Sequence, residues 1–225
     1  MTIYQLKIEL LSDSTFGRGD GIAGLIDQEV EHDSIGFPYL RGRTLKGLLS
    51  EECDNLIATI SPNETRLYWE NIACILFGTP GSTLGTTGVM HVGDACLPND
   101  LREAVAWQIK QPEPTLTPQQ ILDSLTAIRR QTAINAESGI AEKGSLRSFR
   151  VVIRQLKFQA DLLFETPPND EMLSVLSVGT LALRHIGSGR NRGRGYVRCT
   201  LHDNLGQEIT QRYVNFFGTI RGENK

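Results

Sequence analysis

Asp170-Glu-Met-Leu-Ser-Val-Leu-Ser-Val-Gly-Thr-Leu-Ala-Leu-Arg-His-Ile186, then Gly187-Ser-Gly-Arg-Asn-Arg-Gly-Arg-Gly195, then Tyr196-Val-Arg-Cys-Thr-Leu201 is the run that decides the fold. Its first part reads as a helix over 170–186, and its last part alternates as a strand over 196–201. The link carries four glycines and three arginines. Glycine lacks Cβ, so a backbone of this composition can take positive φ and bring N–H groups close to a ligand. Arginine adds a permanently charged planar fork that matches phosphate oxygens. Two readings of the link stand side by side: a cradle for a polyanion backbone, or a solvated basic tip.

Upstream, Arg150 to Phe164 alternates well and predicts one long strand. At the other end of the chain Ile3, Leu6, Ile8 and Leu10 or Leu11 alternate with polar residues and predict a half-buried first strand. Leu45, Leu48, Leu49, Cys53, Leu56 and Ile57 fall at helical spacing, with Thr44 expected as the N-cap. A second helix is expected over 64–77, a strand over 88–97, a short helical patch over 101–109 and a helical segment over 118–130. Residues 132–148 are polar and weakly patterned, and 105–149 read as an excursion from the core, an extended hairpin or lobe. Strand, helix, strand, excursion, strand, helix, strand is an α+β order with an antiparallel sheet, consistent with a ferredoxin-like or RRM-like plan carrying an insertion.

The 225 residues suffice for a real core in one domain, 1–225. A net charge of −3 argues against a protein that coats polyanions indiscriminately, yet local charge decides nucleic-acid binding. Arg184 to Arg198 holds five arginines and no acid, whereas Asp27 to Asp33 is strongly acidic. Cys53, Cys74, Cys96 and Cys199 form no CxxC pair or Cys/His cluster, which fits reduced thiols in a cytoplasmic protein better than disulfides or zinc. The N-terminus lacks a basic region and a long apolar stretch, and no apolar run approaches membrane-spanning length.

Arg41-Gly-Arg-Thr-Leu-Lys46-Gly places Arg41, Arg43, Thr44 and Lys46 at a helix opening, where free N–H groups and the macrodipole already attract anions. The competing reading pairs Lys46 and Arg43 with Glu51 or Glu52. No Walker A loop and no dinucleotide fingerprint is present. Asp20, Asp27, Glu29, Glu31 and Asp33 offer carboxylates that could recruit a divalent cation or move a proton near a phosphodiester. Asp94, in Val-Gly-Asp-Ala, reads as a cap or turn residue. His32, His91, His185 and His202 are scattered, so a histidine-pair ribonuclease is not indicated.

Asp20-Gly-Ile-Ala-Gly-Leu-Ile-Asp27, Gly36-Phe-Pro-Tyr-Leu-Arg-Gly-Arg-Thr-Leu-Lys46-Gly, Val92-Gly-Asp-Ala95 and the glycine-arginine link occur in this order. The set resembles the RAMP superfamily of CRISPR-associated proteins over most of residues 1–203. It is most similar to the repeated Cas-seven-type backbone subunits of Csm/Cmr-like type III effector complexes. The resemblance implies a modified RRM core, with 105–149 as a thumb that kinks a guide–target duplex. It implies that Arg41, Arg43, Thr44 and Lys46 hold guide-RNA phosphates. It also implies that Gly187, Gly189, Arg190, Arg192, Gly193, Arg194 and Gly195 belong to the same backbone-holding surface. Asp27 falls where active subunits carry the aspartate for metal-dependent target-RNA cleavage, with Mg2+ or Mn2+ as the cofactor, and Asp20 and Asp33 flank it. The expected partners are guide RNA, target RNA and other effector subunits, with no membrane. Arg-Gly-Arg-Thr replaces a commoner small-residue pattern, as a type III-D-like variant would. The alternatives are a non-catalytic guide-RNA scaffold and a stand-alone RAMP ribonuclease that processes guide RNA.

Overall fold

The computed structural model describes residues 1–22, 24–79 and 87–222. β1 (Thr2–Leu10) lies between β5 (Lys157–Phe164) and β6 (Val197–His202), and β2 (Met90–Val92) pairs with β5 on its other side. All three pairings are antiparallel, giving the sheet order β2-β5-β1-β6. The strands are joined as βαβ–βαβ, which makes this an α+β, ferredoxin-like fold with an antiparallel sheet, as the element order predicted.

The pattern behind the sheet is simple alternation. Leu6, Ile8 and Leu10 of β1, Phe158, Ala160, Leu162 and Phe164 of β5, and Val197, Cys199 and Leu201 of β6 all point to one buried face. α1 (Gly42–Ile57), α2 (Asn63–Phe77) and α5 (Asp170–Ala182) cover that face, and α6 (Thr210–Gly222) packs on α5. Trp69, fully buried on α2, stacks at 4.4 Å on Phe217 of α6. Polar partners such as Lys7, Gln159 and Thr200 lie on the opposite face.

Several elements depart from the expected ones. The helix expected over 170–186 stops at Ala182, because the chain turns extended at Leu183 to enter the glycine link. The strand expected over 88–97 is reduced to Met90–Val92. Its register on β5 slips by one residue between Val92↔Leu162 and the isolated bridge Cys96↔Gln159. A bulge of this kind re-aims the intervening residues. Here it turns Asp94 toward α1.

The long strand expected over 150–164 is two strands in two sheets. β4 (Arg147–Val152) pairs with β3 (Thr126–Gln131) in a separate hairpin, and the chain then turns at Arg154–Gln155 before β5. Gln155 holds φ 73, the single non-glycine positive φ among the described residues, and its N–H donates to the Leu10 carbonyl at 2.7 Å. The apolar run Val151-Val152-Ile153 and the polar pair Arg154-Gln155 interrupt the alternation at this turn, a short break that the reading of one long strand passes over. The helical segment expected over 118–130 is likewise α4 (Pro118–Leu125) followed directly by β3. Thr117 and Gln120 form a reciprocal capping box that starts α4. Residues 105–149 thus run from α3 (Asn99–Ile109) through α4 to the β3–β4 hairpin, whose tip is exposed.

Cys53 and Cys199 are buried, Cys96 is half-buried and Cys74 is exposed, and all four are free thiols. Burial pushes the Cys199 thiol up to about 12 and the Cys53 thiol higher still, so neither is a nucleophile at neutral pH. Among the described residues no helix is long and apolar enough to cross a membrane.

Candidate nucleic-acid interface

β1 ends, and β5 and β6 begin, at one end of the sheet. The Asp13–His32 segment, the foot of the β3–β4 hairpin, the start of α1 and the glycine link all gather there. Register places the link: Ile186 donates to the Gly195 carbonyl at 2.9 Å, and Gly195 donates to the Asp13 carbonyl at 2.8 Å. Ser188 donates to the Thr15 carbonyl at 2.9 Å, and its hydroxyl bonds to Gln28 Oε1 at 3.1 Å.

Gly187, Gly189, Gly193 and Gly195 all hold φ between +71° and +78°, bracketing a 3₁₀ turn at Arg190–Arg192. The link is therefore a built loop and not a floppy tip. At Gly195 a Cβ would also collide with the Ile186 carbonyl. Gly195→Ala combines the left-handed penalty with a backbone clash, and should cost about 2 kcal/mol or more. The expected fall in melting temperature is about 4–8 °C for a chain of this size, read by calorimetry. An unchanged melting temperature would mean the loop is looser than drawn.

The three arginines of the loop do different jobs. Arg190 pairs with Glu51 of α1 at 3.3 Å, and Arg194 lies over the Phe149 ring of β4 at 4.9 Å. Arg192 is exposed with its guanidinium facing no carboxylate among the described residues. Burial, then the neighbouring Arg192 guanidinium, hold Arg194 below the ordinary arginine value.

The α1 entrance is built differently from the expected one. The N-cap position is Arg41, whose side chain makes no cap, and Thr44 lies inside the first turn, exposed. The cap comes from across the fold: Asp94 Oδ1 accepts from Gly42 N at 2.7 Å. Gly42 is needed because a Cβ there would strike the Val92 and Gly93 carbonyls. Asp94 is thus the cap that its sequence context suggested, though of a helix 52 residues away. Arg41 pairs with the nearly buried Glu31 at 2.6 Å. Lys46 Nζ donates to the Met90 carbonyl at 2.9 Å, and burial lowers its pKa. Neither Lys46 nor Arg43 pairs with Glu51 or Glu52. Arg43 and Thr44 remain on the open side of the helix start.

The acidic segment sorts itself by partner. Glu29 forms a buried ion pair with Arg150 at 2.8 Å, and Glu31 takes Arg41 and the Tyr39 hydroxyl. Asp33 accepts from the Ile35 and Phe37 amides at 2.9 and 3.0 Å and pairs with Arg102 at 3.1 Å, which makes it a turn residue. Asp20 is held by both arms of Arg18 at 2.9 Å, and that hydrogen bond lowers its pKa. Of these five acids Asp27 alone pairs with no cationic side chain among the described residues. Its Oδ2 accepts from Ser148 N at 2.6 Å while its own N–H donates to the Ser148 carbonyl at 2.8 Å. Asp27 lines an open cleft of about 540 Å³ together with Gly21, Leu25, Leu146 and Ser148.

Among the described residues no three His, Cys, Asp or Glu side chains converge as a metal cage. Asp27 still fits a share of a Mg2+ site. That ion commonly takes one or two carboxylates, several waters and the substrate's own phosphates. Sequence reasoning missed Ser148, Phe149 and Arg150, which orient Asp27, Arg194 and Glu29. Their signal was the single strand read through them, and only the hairpin pairing reveals them. His32 hydrogen-bonds near the Asp33 carbonyl and His185 packs on Tyr196, so neither lines the Asp27 cleft.

Residues 7–198 match the sequence profile of the RAMP superfamily. Two cryo-EM structures share the fold at 12% identity. One, described as type III-B Cmr-beta bound to cognate target RNA, gives a TM-score of 0.63 over 89% of this chain and 97% of its own. The other, type III-B Cmr-beta in the apo state, gives 0.59 over 90% and 98%. No curated protein sequence matches the chain.

Proposed function

The chain belongs to the RAMP superfamily, and from that premise we propose that it is a backbone subunit of a type III CRISPR effector complex, one that holds guide RNA and cuts the paired target RNA. The observation that carries the cutting role is the Asp27 carboxylate, exposed, paired with no cation among the described residues and held through Oδ2 by Ser148 N at the foot of the β3–β4 hairpin. Two structures of similar fold come from a type III-B complex, one with target RNA bound. Complex subunits and RNA are therefore the partners this reading assigns.

In this reading Arg43, Thr44 and Arg192, which the fold leaves unspent, contact phosphate directly. Arg41, Lys46, Arg190 and Arg194 contribute positive potential while holding their own segments in place. Contacts of this type read backbone and leave sequence to base pairing. The β3–β4 hairpin at 126–152, which overlaps the excursion 105–149 and runs three residues past its end, is the thumb. A strand bent over its foot would lie with a phosphodiester against Asp27.

Cleavage is then a matter of alignment. When the strand is kinked the neighbouring 2′-oxygen attacks phosphorus in line with the departing 5′-oxygen. The P–O5′ bond breaks as the 2′,3′-cyclic phosphate forms, the 2′-hydroxyl proton passing to water and water protonating the 5′-oxygen. Most of the barrier is therefore lowered by positioning and by stabilising developing charge. Asp27 would help hold a Mg2+ or Mn2+ ion, which would supply that charge neutralisation when bound. The chain's own part is to fix Asp27 through the two Ser148 bonds and to exclude the neighbouring acids, all of which are paired.

The test is a cleavage map of the complex purified with its genomic neighbours, with its bound RNA sequenced. Regularly spaced target cuts, one per copy of this subunit, are expected. Bound guide RNA with no cut at this subunit's positions would leave the scaffold role, and cutting of repeat RNA by the isolated chain without metal would establish the processing ribonuclease instead.

A further inference from the structure

The register slip between β2 and the Cys96↔Gln159 bridge does more than shorten a strand. It makes residues 90–96 a cradle for the start of α1. Leu40 N donates to the Ala95 carbonyl at 3.0 Å and Ala95 N to the Leu40 carbonyl at 2.8 Å, which fixes the chain just before the helix. Lys46 Nζ, one turn in, donates to the Met90 carbonyl at 2.9 Å. Between these two anchors Asp94 Oδ1 accepts from Gly42 N at 2.7 Å. The cradle is tied in turn to β5. Gly93 N donates to the Asp161 carbonyl at 2.8 Å, and Cys96 exchanges backbone bonds with Gln159 at 2.9 and 2.7 Å.

This arrangement has an electrostatic side. A helix N-terminus attracts an anion through its free amides and the macrodipole. At α1 an anion is already seated. The Asp94 carboxylate holds the first amide of the helix, and Asp94 is exposed, so its charge faces the same solvent as Arg43 and Thr44. Glu31, paired with Arg41 at 2.6 Å, adds a second carboxylate beside the entrance. A phosphate approaching α1 meets these two acids at the helix end and is left the outer side of the first turn.

The geometry points to Asp94 as a positioning residue that fills the anion place at the α1 N-terminus, so that RNA phosphate is denied the helix end and is held on Arg43 and Thr44 at reduced affinity. The inference rests on the RNA-binding reading above, but concerns a residue that does not itself meet RNA. It gives Asp94 two separable effects: its hydrogen bond stabilises the helix start, and its charge weakens RNA binding.

Asp94→Asn separates the two, because asparagine caps a helix about as well as aspartate and carries no charge. The full chain is compared with Asp94→Asn, Asp94→Ala, Arg43→Gln and Glu165→Gln, by melting temperature and by binding of labelled single-stranded polyuridylate over a salt series. Glu165 is exposed just past the end of β5, far from the glycine link, and its substitution removes the same charge. Asp94→Asn should tighten binding about two- to fivefold at low salt, the size of one surface charge near a phosphate in water. That gain should fade as salt screens it. Asp94→Ala should melt about 2–4 °C lower, the loss of one N-cap in a chain of this length, and asparagine should recover most of that loss. Glu165→Gln should match the native chain in both measurements. If Asp94→Asn binds as the native chain does while Arg43→Gln weakens binding, Asp94 is a cap and nothing more, and the RNA reading stands. Weaker binding by Asp94→Asn, or an equal gain in Glu165→Gln, also overturns the inference. No RNA binding by the native chain overturns both.

Discussion

Asp27→Ala should lower target-RNA cutting in the assembled complex by about 10²–10⁴-fold, the usual range for removing one positioned acid or base, while guide and target binding stay unchanged. The structure makes this a clean substitution. The backbone bond from Asp27 N to the Ser148 carbonyl survives it, and the side chain is exposed, so the segment keeps its place beside β4. Asp27→Asn sharpens the test. An amide oxygen can still accept from Ser148 N, but the negative charge is gone, so the geometry persists and cutting should still fail. Asp20→Ala removes only an exposed pair with Arg18 and should cut normally. Asp33→Ala should act through the 33–37 turn and Arg102, seen as lost stability and not as a missing cut. Normal cutting by both Asp27 variants would sink the assignment and leave the scaffold role.

Arg150→Ala carries the largest expected loss of stability. Arg150 and Glu29 are both more than nine-tenths buried and pair at 2.8 Å. Arg150 Nη1 also donates to Asp123 Oδ1 at 3.0 Å and to Thr126 Oγ1 at 3.1 Å. Truncation strands Glu29 without a counter-charge, a change that costs about 3–5 kcal/mol. The corresponding fall in melting temperature is about 6–20 °C. The pair is also a joint: Glu29 belongs to the segment carrying Asp27, whereas Asp123 and Thr126 form the root of the hairpin. Urea unfolding of Arg150→Ala, with Arg150→Met/Glu29→Gln as a rescue, separates the two contributions. Removing both charges should recover part of the loss, because the desolvation penalty goes with them. A midpoint for Arg150→Ala close to the native one would show that the joint does not hold the two parts together.

Local pattern carried most of the fold. β1 and β6 follow from alternation, and α1 and α2 from apolar spacing, each to within a residue or two of its end except the start of α1, whose N-cap is Arg41, three residues before the expected Thr44. The errors share one cause. At Gln155 the break in alternation is only a few residues long, and at the Leu125–Thr126 junction the apolar spacing continues across the change of direction, so one strand was read where two sheets meet and one helix where a helix runs into a strand. Alternation reports which residues are buried, not which neighbour buries them. The β2 bulge escaped for the same reason, since the register slip exists only relative to β5.

For the site, the sequence supplied the ingredients: the glycine-arginine loop, the basic helix entrance and the acid-rich segment around Asp27, and with them a family. By itself it left five acids and seven basic or hydroxyl side chains as equals, because charge in a sequence has no partner. Tertiary structure ranked them. Glu29, Glu31, Asp20 and Asp33 are spent on Arg150, Arg41, Arg18 and Arg102, and Asp27 pairs with no cation among the described residues. The same ranking leaves Arg43 and Arg192 open. Composition and spacing decide what chemistry a chain can offer. Which groups remain free to offer it depends on long-range pairs such as Asp94 with Gly42 and Asp13 with Arg129, which form only once the chain has folded.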